Sequence, residues 1–174
     1  MRALVIYESM FGNTHEVAER IGAGLRVDFE VEVIPVHDAV ERDLAEVDLL
    51  VVGGPTHAHS MSRHSTRSAA VKQAASDQTL ELEPAASEVG LRDWFEELPR
   101  GWHGCAAAFD TRAVGPELLT GSAARGIARQ LTKHGFELVS TSESFLVDRQ
   151  NRLVVGEADR AEAWGEALTI RVPI

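Results

Sequence analysis

The chain is poor in several things at once, and each scarcity removes a class of function. It has one cysteine in 174 residues, Cys105, so an intramolecular disulfide framework and any multi-cysteine zinc or iron–sulfur site are excluded. That cysteine lies in the apolar run "CAAAF", where it reads as a small hydrophobe rather than a nucleophile. Positive charge is also scarce. With 17 Lys plus Arg against 27 Asp plus Glu, the formal charge is −10, which weighs against nucleic acid and anionic membrane as partners. There is no run of 18 apolar residues, and the opening "MRALVIYES" passes into a strand-like pattern without the apolar stretch and small-residue cleavage site of a signal peptide. The expectation is a soluble, cytoplasmic protein. The motifs Gly-x-x-x-x-Gly-Lys-Ser/Thr and Gly-x-Ser-x-Gly are missing, so P-loop nucleotide hydrolysis and α/β-hydrolase chemistry have no support.

What is present is an alternation of apolar β-rich runs with helical periodicity, the pattern of an α/β domain with a mostly parallel sheet. Five strands are predicted, at 3–7, 29–36, 48–54, 104–109 and 137–147, the last interrupted midway. Helices are predicted at about 14–25, 90–98, 121–134 and 157–169. The hydrophobic content of 44% is enough for one domain with a core, so residues 1–174 read as a single unit. Residues 55–89 break the regularity. They hold no convincing strand, and a loop of that length is usually functional or disordered. Its first part, 55–68, carries His57, His59, Arg63, His64 and Arg67 and is assigned to a site; about 69–88 reads as a mobile insertion.

In open α/β sheets, ligands bind beyond the carboxyl ends of the strands, where the strand order reverses. Three segments would meet there: 8–14, 54–64 and 109–115, all rich in Gly, Ser, Thr, Asp or His. In the first, Gly12 allows positive φ, Ser9 and Thr14 supply hydroxyls, and Asn13 stands where an N-cap would. Helix N–H groups and the positive end of the dipole then suit a phosphate held by neutral donors, with His15 as the nearby cation. The competing reading of the same residues is a capping box, Asn13-x-x-Glu16, of purely structural value. The histidines of the second segment lack a carboxylate or cysteine at ligand spacing, so no metal site is predicted.

The stretch "YESMFGNT" resembles the phosphate loop of the flavodoxin family, Tyr/Phe-x-Ser-x-x-Gly-Asn-Thr after a strand, and the order of elements is similar over the whole chain. The resemblance implies a three-layer, doubly wound, five-stranded parallel sheet of order 2-1-3-4-5, with FMN as cofactor. It implies that Ser9, Met10, Phe11, Gly12, Asn13 and Thr14 cradle the phosphate. Pro55, Thr56, His57 and Ala58 would run along the ring edge, and Phe109, Asp110, Thr111 and Arg112 would meet its pyrimidine side. Met10 and Phe11 stand where electron carriers of the family have threonines, and His57 where they have a large aromatic. The implied function is electron transfer, to a redox partner protein or a quinone-like small molecule. Alternatives are a two-electron FMN-dependent quinone-type reductase, favoured by Arg112 and the missing aromatic lids, and a cofactor-free binding or regulatory domain. Receivers of two-component systems, which share this strand order, are excluded because "VVGGPTH" lacks a phosphorylatable aspartate.

Overall fold

A computed structural model describes residues 1–77 and 80–172. The chain runs β1 (Arg2–Tyr7), α1 (Asn13–Leu25), β2 (Glu30–Pro35), a 3-10 turn (Val36–Ala39), β3 (Leu49–His57), β4 (Ser60–Met61) and α2 (His64–Ser76). It continues through α3 (Leu91–Glu97), β5 (Cys105–Ala113), α4 (Glu117–Thr120), α5 (Ala123–His134), β6 (Glu137–Leu138), β7 (Glu143–Val147) and α6 (Glu157–Thr169).

Strands β2, β1, β3 and β5 lie side by side and parallel, and β6 and β7 continue the sheet on the far side of β5. The expected order 2-1-3-4-5 is therefore present, with the last strand interrupted between Leu138 and Glu143. Seven strands replace the five expected because that interruption makes two and β4 adds a short antiparallel partner to β3.

The apolar strands read as continuous runs because both faces are covered. Alternate residues face opposite sides of a strand. Leu4, Ile6, Leu50, Val52, Ala106 and Ala108 share one core with Leu91, Trp94, Ile127 and Leu131, from α3 and α5. Ala3, Val5, Leu49, Val51, Ala107 and Phe109 share the other with Val17, Ile21, Leu25 and Leu168, from α1 and α6. The two helices of the second layer touch closely: a Cβ at Gly165 would stand 2.3 Å from the Ile21 carbonyl oxygen.

The segment expected to be a mobile insertion, about 69–88, is in part regular structure. Its first half belongs to α2, a helix of 13 residues that buries only Arg67 and Ala70. Residues 80–88 carry turn hydrogen bonds of their own, Ala86 N–H to the Glu83 carbonyl and Glu88 N–H to the Ala85 carbonyl, and Ala86 is buried. Gln78 and Thr79, also within that insertion, lie outside the described residues. Among the described residues no helix is long and apolar enough to cross a membrane.

Candidate functional site: a three-loop cleft at the carboxyl edge of the sheet

A cleft of about 280 Å³ opens at the carboxyl ends of β1, β3 and β5. Ser9, Met10, Phe11, Asn13, Thr14, Pro55, Thr56, His57, Thr111 and Arg112 line it, so the structure brings ten of the fourteen candidate residues to one place. Gly12, Ala58, Phe109 and Asp110 are not on its wall.

The first wall is the turn between β1 and α1. Gly12 has φ +89° and is itself the N-cap, so Asn13 is the first helical residue rather than the cap. No side chain caps α1, and the capping-box reading of Asn13 and Glu16 does not hold. The Ser9 hydroxyl accepts from the Gly12 N–H at 3.1 Å, which closes the turn. Asn13 Nδ2 donates to the Asn151 carbonyl at 3.1 Å and ties the turn to the connection after β7. Thr14 is buried, and its hydroxyl shares a hydrogen bond of 2.7 Å with that of Thr111, joining the first and third walls. A helix start without a side-chain cap, facing a concave space, suits an anion.

His15 does not serve as a cation for this space. Its ring stacks on Tyr7 with centroids 4.6 Å apart, and Nδ1 lies 3.0 Å from Glu83 Oε1, on the outer side of the turn. Burial first, then the charges of Glu83, Glu19 and Asp38, push the Tyr7 phenol up to about 12, so it stays neutral.

The second wall is the β3–β4 hairpin. Thr56 pairs with Met61 and His57 with Ser60, leaving Ala58 and His59 as a two-residue turn with φ +46° and +70°. Such turns favour Asn-Gly, and positive φ at an L residue costs roughly 1–2 kcal/mol. The strain is held by neighbours. His59 bridges to Gly121, where a Cβ would stand 2.2 Å from the His59 Cα. The Thr56 hydroxyl accepts from the Ala123 N–H at 2.8 Å and donates to Asp110 Oδ2 at 3.1 Å. Ala58 is consumed by the turn and does not reach the cleft.

Beneath the hairpin lies a charged set of which the sequence reading singled out Arg67 alone. Glu8 is buried and its Oε2 accepts from the Leu91 N–H at 2.8 Å. Arg67, assigned from sequence to the site, is instead buried under it, donating to the Ser62 hydroxyl at 3.1 Å and Asp93 Oδ2 at 2.7 Å. Burial pushes the His57 imidazole below its usual range; Glu8 opposes the shift and Arg67 adds to it. A lowered folded-state value means the unfolded chain binds the proton more readily, so His57 favours folding above about pH 6.5 and that contribution is lost as pH falls below it. His57→Phe is expected to flatten this part of the stability profile between about pH 5 and 7, measured by urea unfolding. An unchanged slope would show that His57 is solvated like any surface histidine.

The third wall is the end of β5. Phe109 is fully buried: its ring fills the space over Gly53 and meets Phe145 and Trp164 edge-on. It is a core residue, because a nine-residue β5 carries position 109 into the middle of the sheet. Asp110 is likewise fully buried, and its Oδ2 accepts from Thr56, from the Ser122 hydroxyl at 2.7 Å and from the Ala124 N–H at 2.9 Å. Arg112 reaches the cleft wall, with Nη1 donating to the Gly115 carbonyl at 2.8 Å and the Thr120 hydroxyl at 3.0 Å.

A fourth wall had no place in the sequence reading: Val147 at the end of β7 and Asp148, Arg149 and Asn151 after it. Asp148 Oδ1 accepts from the Gln150 and Arg152 N–H groups, a turn whose signal "DRQN" follows a predicted strand. The rule that placed the other three loops at one edge applies equally to this one.

Residues 4–69 match the family model described as a flavodoxin domain. The solved structures similar to the chain include a flavodoxin from the domain Archaea, at 21% identity, with 99% of each chain covered and a TM-score of 0.65. Oxidised flavodoxin 1 from Bacillus cereus covers 99% of this chain and 100% of its own at 17% identity and a TM-score of 0.67. The fold is flavodoxin-like. The flavodoxin of Streptococcus pneumoniae is similar over 99% of this chain and 100% of its own, at 19% identity and a TM-score of 0.59. No curated protein matches the chain in sequence. Within the flavodoxin-like frame, the uncapped start of α1 and the hairpin after β3 occupy opposite sides of one cleft.

Proposed function

We propose that the chain binds FMN and acts in electron transfer. The observation that carries this reading is the convergence of a helix start lacking any side-chain cap, and lined by neutral donors, with a strained hairpin and the end of β5 on one cleft. The fit to the cofactor is chemical as well as topological. The Ser9 hydroxyl and the first backbone N–H groups of α1 face the place where a phosphate would rest, while the Gly12 N–H, the Asn13 amide and the Thr14 hydroxyl brace the turn through Ser9, Asn151 and Thr111. Pro55, Thr56 and His57 give a flatter wall for a ring. A cleft of about 280 Å³ lies just below the usual range for small-molecule sites, about 300–1,000 Å³.

FMN, when bound, supplies reversible storage of electrons. The chain's own residues hold and shield it. Asn13 fixes the turn against Asn151, and the Thr14–Thr111 bond keeps the phosphate end and the β5 end at constant separation. His57, kept neutral by burial, offers a stacking face without a fixed charge. The experiment is an ultraviolet–visible spectrum of the purified protein with an FMN titration. Saturable flavin binding supports the reading; no flavin absorbance and no binding would leave a cofactor-free domain of the same fold.

A second reading, two-electron reduction of a quinone-type acceptor, is favoured by the wall composition. Among the described residues Phe11 is the one Phe, Tyr or Trp that lines the cleft, and Arg112, with Arg149 on the fourth wall, supplies fixed positive charge. A charge about 5 Å from a reduced ring is worth roughly 3 kcal/mol at an effective dielectric of about 20, and solvent cuts this to the order of 1 kcal/mol. Arg112→Gln is therefore expected to lower the two-electron midpoint potential of bound FMN by roughly 20–30 mV. An unchanged potential with FMN still bound would favour the simple carrier.

A further inference from the structure

The segment 80–88 is seated on the outside of the turn between β1 and α1. The Glu83 N–H donates to the Met10 carbonyl at 2.8 Å. Met10, Ala70 and Ala86 form a small apolar cluster against which Phe11 and Leu82 pack. This explains two departures from the family's turn. Met10 and Phe11, where carriers have threonines, exchange hydroxyl donors for an apolar seat under a segment of this chain. The seating also brings a carboxylate to the turn. Glu83 Oε1 lies 3.6 Å from the point where a Cβ at Gly12 would stand, and 3.0 Å from His15 Nδ1. His15 in turn faces Glu19, with Nε2 3.9 Å from its carboxylate, and the Tyr7 ring.

We propose that Glu83 sets the charge selectivity of the turn: held against the outer side of Gly12, its carboxylate reduces the preference of the site for a phosphorylated flavin over riboflavin. The inference rests on the reading of the turn as a phosphate seat. The turn contains no Lys or Arg, so nothing within it offsets a negative charge on its outer surface. His15 is shared between Glu83 and Glu19, and only its protonated form balances either. The ribityl and ring portions, bound further along the cleft and uncharged, are insensitive to Glu83 to first order. A dianion in the turn is not, because Glu83 stands against Gly12 of the same turn: a severalfold change in affinity is the order expected in partly solvated surroundings.

The test is a comparison of FMN and riboflavin dissociation constants for the wild type and Glu83→Gln, followed by flavin fluorescence at pH 8, above the usual range of histidine titration. Gln retains the shape and a hydrogen-bonding group for His15, and the backbone bond to Met10 does not depend on the side chain. The ratio of the riboflavin to the FMN constant should rise about three- to tenfold at low salt, with riboflavin itself unchanged and the gain shrinking at about 0.5 M salt. A wild type that prefers FMN by a ratio that Glu83→Gln leaves unmoved would overturn the role of Glu83 alone. Equal loss or gain for both flavins would also overturn it, by making Glu83 a structural residue. A wild type that binds riboflavin as tightly as FMN, with the variant the same, would remove the phosphate seat and this inference with it. Failure of both flavins to bind would remove the FMN reading itself.

Discussion

Asp110→Ala should lower the stability by about 3–5 kcal/mol, among the largest effects of any single substitution near the cleft. The carboxylate is fully buried, and one oxygen accepts from the Thr56 hydroxyl, the Ser122 hydroxyl and the Ala124 N–H. Removing it leaves three donors without their acceptor, the Ala124 N–H buried and the Thr56 and Ser122 hydroxyls half-buried; an orphaned buried donor costs about 1–3 kcal/mol, and the losses are less than additive when they share a partner. The helix start of α5 also loses the negative charge beside its first turn. Because Thr56 belongs to β3 and Ser122 to the start of α5, the consequence extends to the cleft: the hairpin is freed from α5, and Ala58 and His59 lose part of what holds them at positive φ. Asp110→Asn keeps an acceptor in place and should cost much less. Urea unfolding of the two variants is the measurement, and an Ala variant within 1 kcal/mol of the Asn variant would mean that water enters and replaces the carboxylate.

That role for Asp110 could not be read from the sequence, and the reason is topological. "FDTRAVG" looks like a strand followed by a loop, and an aspartate just past a strand suggests a group facing ligand. The strand in fact continues to Ala113, because Gly54 and Pro55 of β3 on one side and Ser144 to Val147 of β7 on the other extend the pairing. Two extra residue pairs with β3 and four with β7 outweigh the weak local preference of Asp, Thr and Arg for strand. With the strand prolonged, Phe109 and Asp110 move from the rim into the sheet. The same extension carries β3 to His57 and makes the second loop a hairpin rather than an open chain.

The five parallel strands, their order and both core layers were legible, since continuous apolar runs and helical stripes such as Val17, Ile21 and Leu25 report burial directly. Helix α2 was not, for the same reason inverted. It buries only two of its residues, so it has almost no apolar stripe to detect. Its signal is propensity: Ala69, Ala70, Ala74 and Ala75 with Lys72 and Gln73 favour helix without any period. The cleft itself was legible in outline, because the edge at which loops gather follows from strand order. The assignment of side chains within it was not, because which of two neighbouring residues faces ligand depends on where a strand ends, the least determined quantity in a sequence.

The turn before α1 yields the second large effect. Gly12 has φ +89° and ψ −21°, and it is at once the closing residue of the Ser9 turn and the N-cap of α1. An Ala there would pay roughly 1–2 kcal/mol for the left-handed conformation, and a β-branched residue more. Gly12→Val has two routes open to it, and both remove the anion seat. If the backbone keeps its course, the variant stores the strain and brings a bulky side chain against Glu83, since a Cβ already stands 3.6 Å from Oε1. If the backbone relaxes to negative φ, the Gly12 N–H turns away from Ser9 and the first N–H groups of α1 no longer converge. FMN affinity should therefore fall about 30- to 100-fold, the equivalent of roughly 2–3 kcal/mol, to the level of riboflavin. Riboflavin affinity should change little, because Asp110 and Thr56 hold the hairpin to β5 and α5 through bonds that do not involve Gly12. Titration of both flavins into Gly12→Val and Gly12→Ala is the measurement. Parallel loss of riboflavin and FMN would show that the turn supports the whole cleft, and an Ala variant as poor as Val would assign the loss to φ rather than to bulk.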